Sequence, residues 1–132
     1  MVIELNGKEH EVKFGIAFLK YVDNHNGLTV DLTVGDKATS VNTKSQGFEN
    51  LLRKLYKDND ETALVDILYA GTRRSKRKPP YEEIEDYVDA LITEDEANGT
   101  DKVNRLIAEV LEDLKRQPSA RRLNKLMGQE ES

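Results

Sequence analysis

The sequence predicts an α+β fold: an N-terminal β-hairpin, with a second hairpin at about 28–42 as the alternative to a loop there, packed on a bundle of four to five helices. Three observations carry this. The dipeptide Asn6-Gly7 separates two short alternating segments, as in a tight hairpin. Apolar residues recur with a period of 3.6 over 15–25 and repeatedly from 46 to 114. The chain has 132 residues, enough for one core that buries about two-thirds of the unfolded surface. We therefore expect a single domain over 1–117, with 118–132 as a basic C-terminal tail.

Residues 1–14 form the first hairpin. If Leu5 opposes Lys8, then Ile3 faces His10 and Met1 faces Val12. That register gathers Met1, Ile3, Leu5, Val12 and Phe14 on one side and Val2, Glu4, Glu9, Glu11 and Lys13 on the other. A lone hairpin is marginal in water, so its apolar side must dock on helices. Over 15–25, Ile16, Phe18, Leu19 and Val22 mark a helix that Asn26-Gly27 stops. Leu28, Val30, Leu32 and Val34 alternate with Thr29, Asp31 and Thr33 as a strand. Its partner is 38–42 across Gly35-Asp36, unless the polar stretch 39–46 is a loop.

Phe48, Leu51, Leu52, Leu55 and Tyr56 give a one-sided helix over 46–58. Asp60 then supplies an N-cap for a helix over 61–72. Its face of Leu64, Val65, Ile67, Leu68, Tyr69 and Gly71 is wide enough for a central, buried element. The link 73–78 places Arg73, Arg74, Lys76, Arg77 and Lys78 in six residues, and we expect a solvated loop neutralised by neighbouring acids. Pro79-Pro80 starts the next helix, whose early glutamates, Glu82, Glu83 and Glu85, suit its positive end. Its stripe is Ile84, Tyr87, Val88, Leu91 and Ile92, and 93–100 reads as an acidic turn. The last helix has the cleanest stripe: Val103, Leu106, Ile107, Val110, Leu111 and Leu114. This stripe is the expected closest partner of the 64–69 face. Past Pro118, Leu123, Leu126 and Met127 make one apolar turn, too short to be stable alone, and are the candidate partner-binding residues.

Composition narrows the function. The net charge is -5, charged residues make up 34% and cysteines are absent, so neither disulfides nor thiolate chemistry contribute. No apolar run approaches a membrane span, and the start of the chain lacks a signal peptide's pattern, so a cytoplasmic location without membrane contact is expected. His10 and His25 lie in different elements without spaced ligand partners and read as surface or half-buried side chains. No phosphate loop, nucleophile elbow or metal-spaced cluster occurs. We expect no enzyme, no metal and no cofactor. The basic run 73–78, flanked by Tyr69 and Tyr81, could touch nucleic-acid phosphates. However, the protein is acidic and no nucleic-acid motif accompanies the run. The amphipathic stripes fit an interaction protein better, since a helix can lie in an apolar groove. Self-association is left open.

Four blocks in series carry a resemblance. They are the opening hairpin with Val12-Lys13-Phe14-Gly15-Ile16-Ala17-Phe18-Leu19, then Ala63-Leu64-Val65-Asp66-Ile67-Leu68-Tyr69-Ala70-Gly71-Thr72, then Ile84-Glu85-Asp86-Tyr87-Val88, then Val110-Leu111-Glu112-Asp113-Leu114-Lys115. In this order and spacing the chain resembles the tail assembly chaperones of long, non-contractile-tailed bacteriophages of Gram-positive bacteria. The likeness runs to about Lys115, and 28–45 departs most from it. It implies a non-enzymatic factor that binds the helical tape measure protein, keeps it soluble, helps tail tube subunits assemble around it in the host cytoplasm, and is absent from the mature virion. It also implies that this chain corresponds to the shorter of two forms made by ribosomal frameshifting. The competing readings are a small nucleic-acid-associated phage protein using 73–78, or a structural tail or connector subunit.

Overall fold

The computed structural model describes residues 1–25, 29–34, 37–42 and 47–117. Strands β1 (Val2–Leu5) and β2 (Lys8–Glu11) pair antiparallel, with Ile3 opposite His10 and Leu5 opposite Lys8. The register is the one the alternation predicts. Asn6 and Gly7 have φ of 52° and 76°, the two positive values that a type I′ turn needs and that these residues adopt at low cost. Cross-strand partners share a face, so His10 is carried inward with Ile3 and is 6% exposed. This corrects its reading as a surface or half-buried residue. The side chain of His25 lies outside the described residues.

Helix α1 (Ile16–His25) buries Phe18 and Val22 and half-buries Leu19, whereas Ile16 is 63% exposed. The expected stripe included Ile16, but at 100° per residue it points well away from Phe18 and Val22, and those two set the buried side. Strands β3 (Thr29–Val34) and β4 (Lys37–Asn42) form a second antiparallel pair with Val30 opposite Val41. The hairpin alternative therefore holds, as a sheet separate from the first.

Helix α2 (Gly47–Asp58) turns Phe48, Leu51, Leu52 and Leu55 into the core. The carboxylate of Asp23 in α1 accepts from the Phe48 amide at 3.0 Å, which joins the start of α2 to α1. Helix α3 (Glu61–Gly71) begins at Asp60, whose carboxylate accepts from the amides of Thr62 and Ala63 at 2.9 and 3.3 Å, the predicted cap. Seven of its residues are buried, which makes it the central helix.

Helix α4 (Tyr81–Asn98) runs past the expected acidic turn and stops only at Gly99, whose φ is 65°. Glutamates are good helix formers on an exposed face, so 93–98 continues the helix until a residue at ease in the left-handed region ends it. Helix α5 (Lys102–Lys115) follows and buries Val103, Leu106, Ile107, Val110 and Leu114. The short connection folds α5 back on α4, while α3 is flanked by α1, α2 and α4. The closest partners of the 64–69 face are therefore α4 and α2, not α5. One apolar cluster joins the first hairpin and all five helices. Within it the Phe14 and Phe18 rings, and the Phe18 and Phe48 rings, meet edge to face at 5.0 and 6.0 Å.

Candidate protein-docking surface

The link after α3 is built from the end of the helix outward. Thr72 is fully buried and its hydroxyl donates to the Tyr69 carbonyl at 2.8 Å. Arg73 turns back over the same turn. Its Nε donates to the Tyr69 carbonyl at 3.1 Å, its Nη2 donates to the Pro79 carbonyl, and its guanidinium lies 3.6 Å from the centre of the Tyr69 ring. A cation over a ring face combined with hydrogen bonds to helix-end carbonyls fixes both ends of the link at once. The Ser75 hydroxyl donates to the Thr72 carbonyl at 2.8 Å, tightening the turn further.

Tyr69 and Tyr81, which flank the basic run in sequence, meet edge to face at 5.2 Å, and Tyr21 adds a third ring 6.0 Å from Tyr69. The Tyr81 hydroxyl donates to the Asp66 carboxylate at 2.6 Å. Burial, followed by this bond to an anion, pushes the Tyr81 phenol well above its ordinary value. The tyrosines are thus closed on one another and on Arg73 rather than splayed as a stacking platform for bases.

Of the five predicted basic residues, Arg73 is half-buried and used internally, while Arg74, Lys76, Arg77 and Lys78 are exposed. Among the described residues none of these four forms an ion pair. Glu9 and Glu11 of the first hairpin line the same cleft as Arg74, Lys76 and Arg77 without forming an ion pair with them among the described residues. A cleft of about 400 Å³ lies between this link and β2, lined by Glu9, His10, Glu11, Lys13, Arg74 and Lys76 among others. Nδ1 of His10 lies 3.4 Å from the Arg77 carbonyl, a position where it can only donate.

Beside it lies a second groove of about 400 Å³, between the start of α1 and the end of α3. Its apolar lining is Ile16, Ala17, Phe18 and Ala70, and its rim carries Lys13, Arg73 and Arg74. Sequence reasoning missed this surface. The available signal was Ile16, two residues ahead of Phe18 and so off the helix's buried side. Gln117, the last described residue, also lines the groove. Leu123, Leu126 and Met127 lie outside the described residues. Among the described residues no group of three or more histidines and carboxylates could hold a metal ion, and no helix is long and apolar enough to cross a membrane.

Residues 2–128 match the family described as phage tail assembly chaperone protein, TAC. The chain belongs to the phage tail assembly chaperone family. The match spans both hairpins as well as the helices, so the 28–45 region, where the resemblance was weakest, lies within the family's extent. Neither a curated protein nor a solved structure matches the chain.

Proposed function

We propose that this family member is a non-enzymatic chaperone that binds the tape measure protein, keeps it soluble and helps tail tube subunits assemble around it. Family membership over 2–128 is the observation that carries the reading. The surface chemistry supports it. A long helical partner with apolar stripes is best covered reversibly by shallow grooves with charged rims, which give orientation and fast exchange without a deep pocket. The groove beside Ile16, with its cationic rim, has that character. In this reading the protein works in the host cytoplasm of a long, non-contractile-tailed phage of a Gram-positive bacterium and does not remain in the finished particle. Residues 1–117 are the working domain, and Leu123, Leu126 and Met127 in the appended segment are candidates for partner contact.

The test is co-expression of the chain with the tape measure protein of the same phage, followed by fractionation. The expected result is a soluble tape measure protein that co-purifies with the chain. An insoluble tape measure protein and no co-purification would sink the reading. Recovery of the chain in purified particles would favour a structural subunit instead.

A further inference from the structure

The two clefts beside the link share Lys13 and Arg74, so they form one continuous surface with two chemically different ends. At one end Ile16, 63% exposed, borders the groove whose floor includes buried Phe18 and Ala70. A partner's apolar side chain placed against Ile16 and into this groove would remove apolar area from water on binding. At the other end Arg74, Lys76 and Arg77 have no ion pair among the described residues. Glu9 and Glu11 line this end too, and Glu11 engages Lys13 at 3.7 Å. With Lys13 that makes four cations against two carboxylates, and the surplus is positive although the whole chain is negative.

We propose that this surface docks an acidic amphipathic helix of a protein partner. Two of its apolar side chains, one turn apart, sit against exposed Ile16 and in the groove mouth beside Ala17, and its flanking carboxylates face Arg74, Lys76 and Arg77. The proposal rests on the reading of the chain as a binder of a helical partner, and it adds which surface is used and which sign of charge is recognised. Charge complementarity selects the occupant. The chain's own segment after Gln117 carries three cations, Arg121, Arg122 and Lys125, against two glutamates, Glu130 and Glu131, so it offers the cationic rim no surplus of negative charge, whereas an acidic helix does. A nucleic acid would use the cations but leave the apolar groove empty. It would also find the Tyr69 face already covered by Arg73.

The experiment uses the full-length chain and a labelled synthetic peptide with leucines at i, i+3 and i+4 and glutamates on the adjoining positions, read by fluorescence anisotropy. A second peptide carries lysine in place of every glutamate. The acidic peptide is expected to bind with salt-dependent affinity and the lysine peptide about tenfold or more weakly, as for complementary against like charge. Ile16→Glu and the pair Arg74→Glu with Lys76→Glu should each weaken the acidic peptide by about tenfold or more. Their melting curves should stay at the parent's, since all three side chains are exposed. Equal binding of the two peptides, or parent-like binding by these variants, overturns the proposal. So does displacement of the acidic peptide by a synthetic 118–132 peptide at a lower concentration, which would make the chain's own segment the occupant. Single-stranded DNA that binds more tightly than the acidic peptide and is insensitive to Ile16→Glu would overturn it in favour of nucleic acid. Co-expression with the tape measure protein separates the two readings. If the parent and the Ile16→Glu variant both solubilise it, the docking surface is wrong and the chaperone stands. If the parent does not, the chaperone reading fails while the peptide comparison still decides the surface.

Discussion

Gly71 and Val12 stand so close that a Cβ on Gly71 would lie 2.4 Å from Val12 Cγ1 and 3.1 Å from the Phe14 ring. The same approach lets the Lys13 amide donate to the Gly71 carbonyl at 2.8 Å. The exit of the first hairpin is therefore seated on the end of α3, and this contact holds one wall of the apolar groove in place. Gly71→Ala should gain about 1 kcal/mol of helix propensity but lose about 1–3 kcal/mol to overpacking, because Val12 and Phe14 are buried and have little room to move. We expect a net loss, larger for Gly71→Leu. Urea denaturation measures it; an unchanged midpoint for Gly71→Leu would mean that the hairpin docks loosely.

A single carboxylate organises the junction between α4 and α5. Asp95 accepts from the Lys102 and Val103 amides at 2.8 and 3.0 Å and from the Thr100 hydroxyl at 2.5 Å, so a residue of one helix caps the next. Asp101, at the N-cap position itself, makes no side-chain cap bond. The Thr100 hydroxyl, followed by the Val103 amide, holds the Asp95 carboxyl below its ordinary range. A depressed carboxyl pKa contributes stability that is present above the unfolded value of about 3.9 and is lost as pH falls through the lower folded value. Asp95→Ala should therefore lower the melting temperature at neutral pH, and its stability should fall less steeply than the parent's on acidification through that window. Parallel melting curves at all pH values would remove Asp95 from this role.

What was legible in the sequence was whatever rests on neighbours in the chain. The Asn6-Gly7 turn fixed the hairpin register, Asp60 fixed the start of α3, and the stripe from Val103 to Leu114 fixed the buried side of α5. What was not legible depends on how elements meet. The exposure of Ile16 follows from which side of α1 faces α2 and α3. The inward turn of His10 follows from the register, but its contact with the Arg77 carbonyl joins residues 67 positions apart. The basic run read as five equivalent cations, yet Arg73 alone has a ring and helix-end carbonyls within reach. Both clefts of the candidate surface combine residues from the hairpin exit or α1 with residues from the end of α3 and its link, a combination no local pattern encodes.

Helix α5 offers a graded test of the core. Leu106 and Ile107 are 7% and 4% exposed and Leu114 is fully buried. Leu114→Ala should cost about 2–5 kcal/mol through lost burial and the cavity left behind. Ile107→Asp and Leu106→Asp place a carboxylate among apolar side chains, a penalty that is large against a total stability of about 5–15 kcal/mol. Both aspartate variants should lose the cooperative thermal transition while Leu114→Ala keeps it at a lower temperature. A cooperative melt for Ile107→Asp near the parent's midpoint would show that α5 is not part of the core.

Tyr81 ties the first turn of α4 to the middle of α3 through Asp66, and the direction of its pKa makes that tie visible at alkaline pH. The folded state favours the neutral phenol, first because burial disfavours the anion and then because the hydroxyl donates to Asp66. A raised pKa contributes stability that is complete below the unfolded value of about 10 and declines as pH rises above it, where the unfolded chain ionises and the folded one resists. Tyr81→Phe removes the donor and should cost about 1–2 kcal/mol at neutral pH, the range for a hydrogen bond to a charged group that is partly solvated. The variant should also lose stability less steeply than the parent above pH 10. Ultraviolet titration of the folded parent should show fewer tyrosines ionising in the ordinary range than in urea, because burial raises Tyr21 and Tyr87 as well as Tyr81. Tyr81→Phe should lower by one the count that titrates late. If Tyr81→Phe leaves that count unchanged, another tyrosine carries the shift and the α3–α4 tie is weaker than its 2.6 Å bond implies.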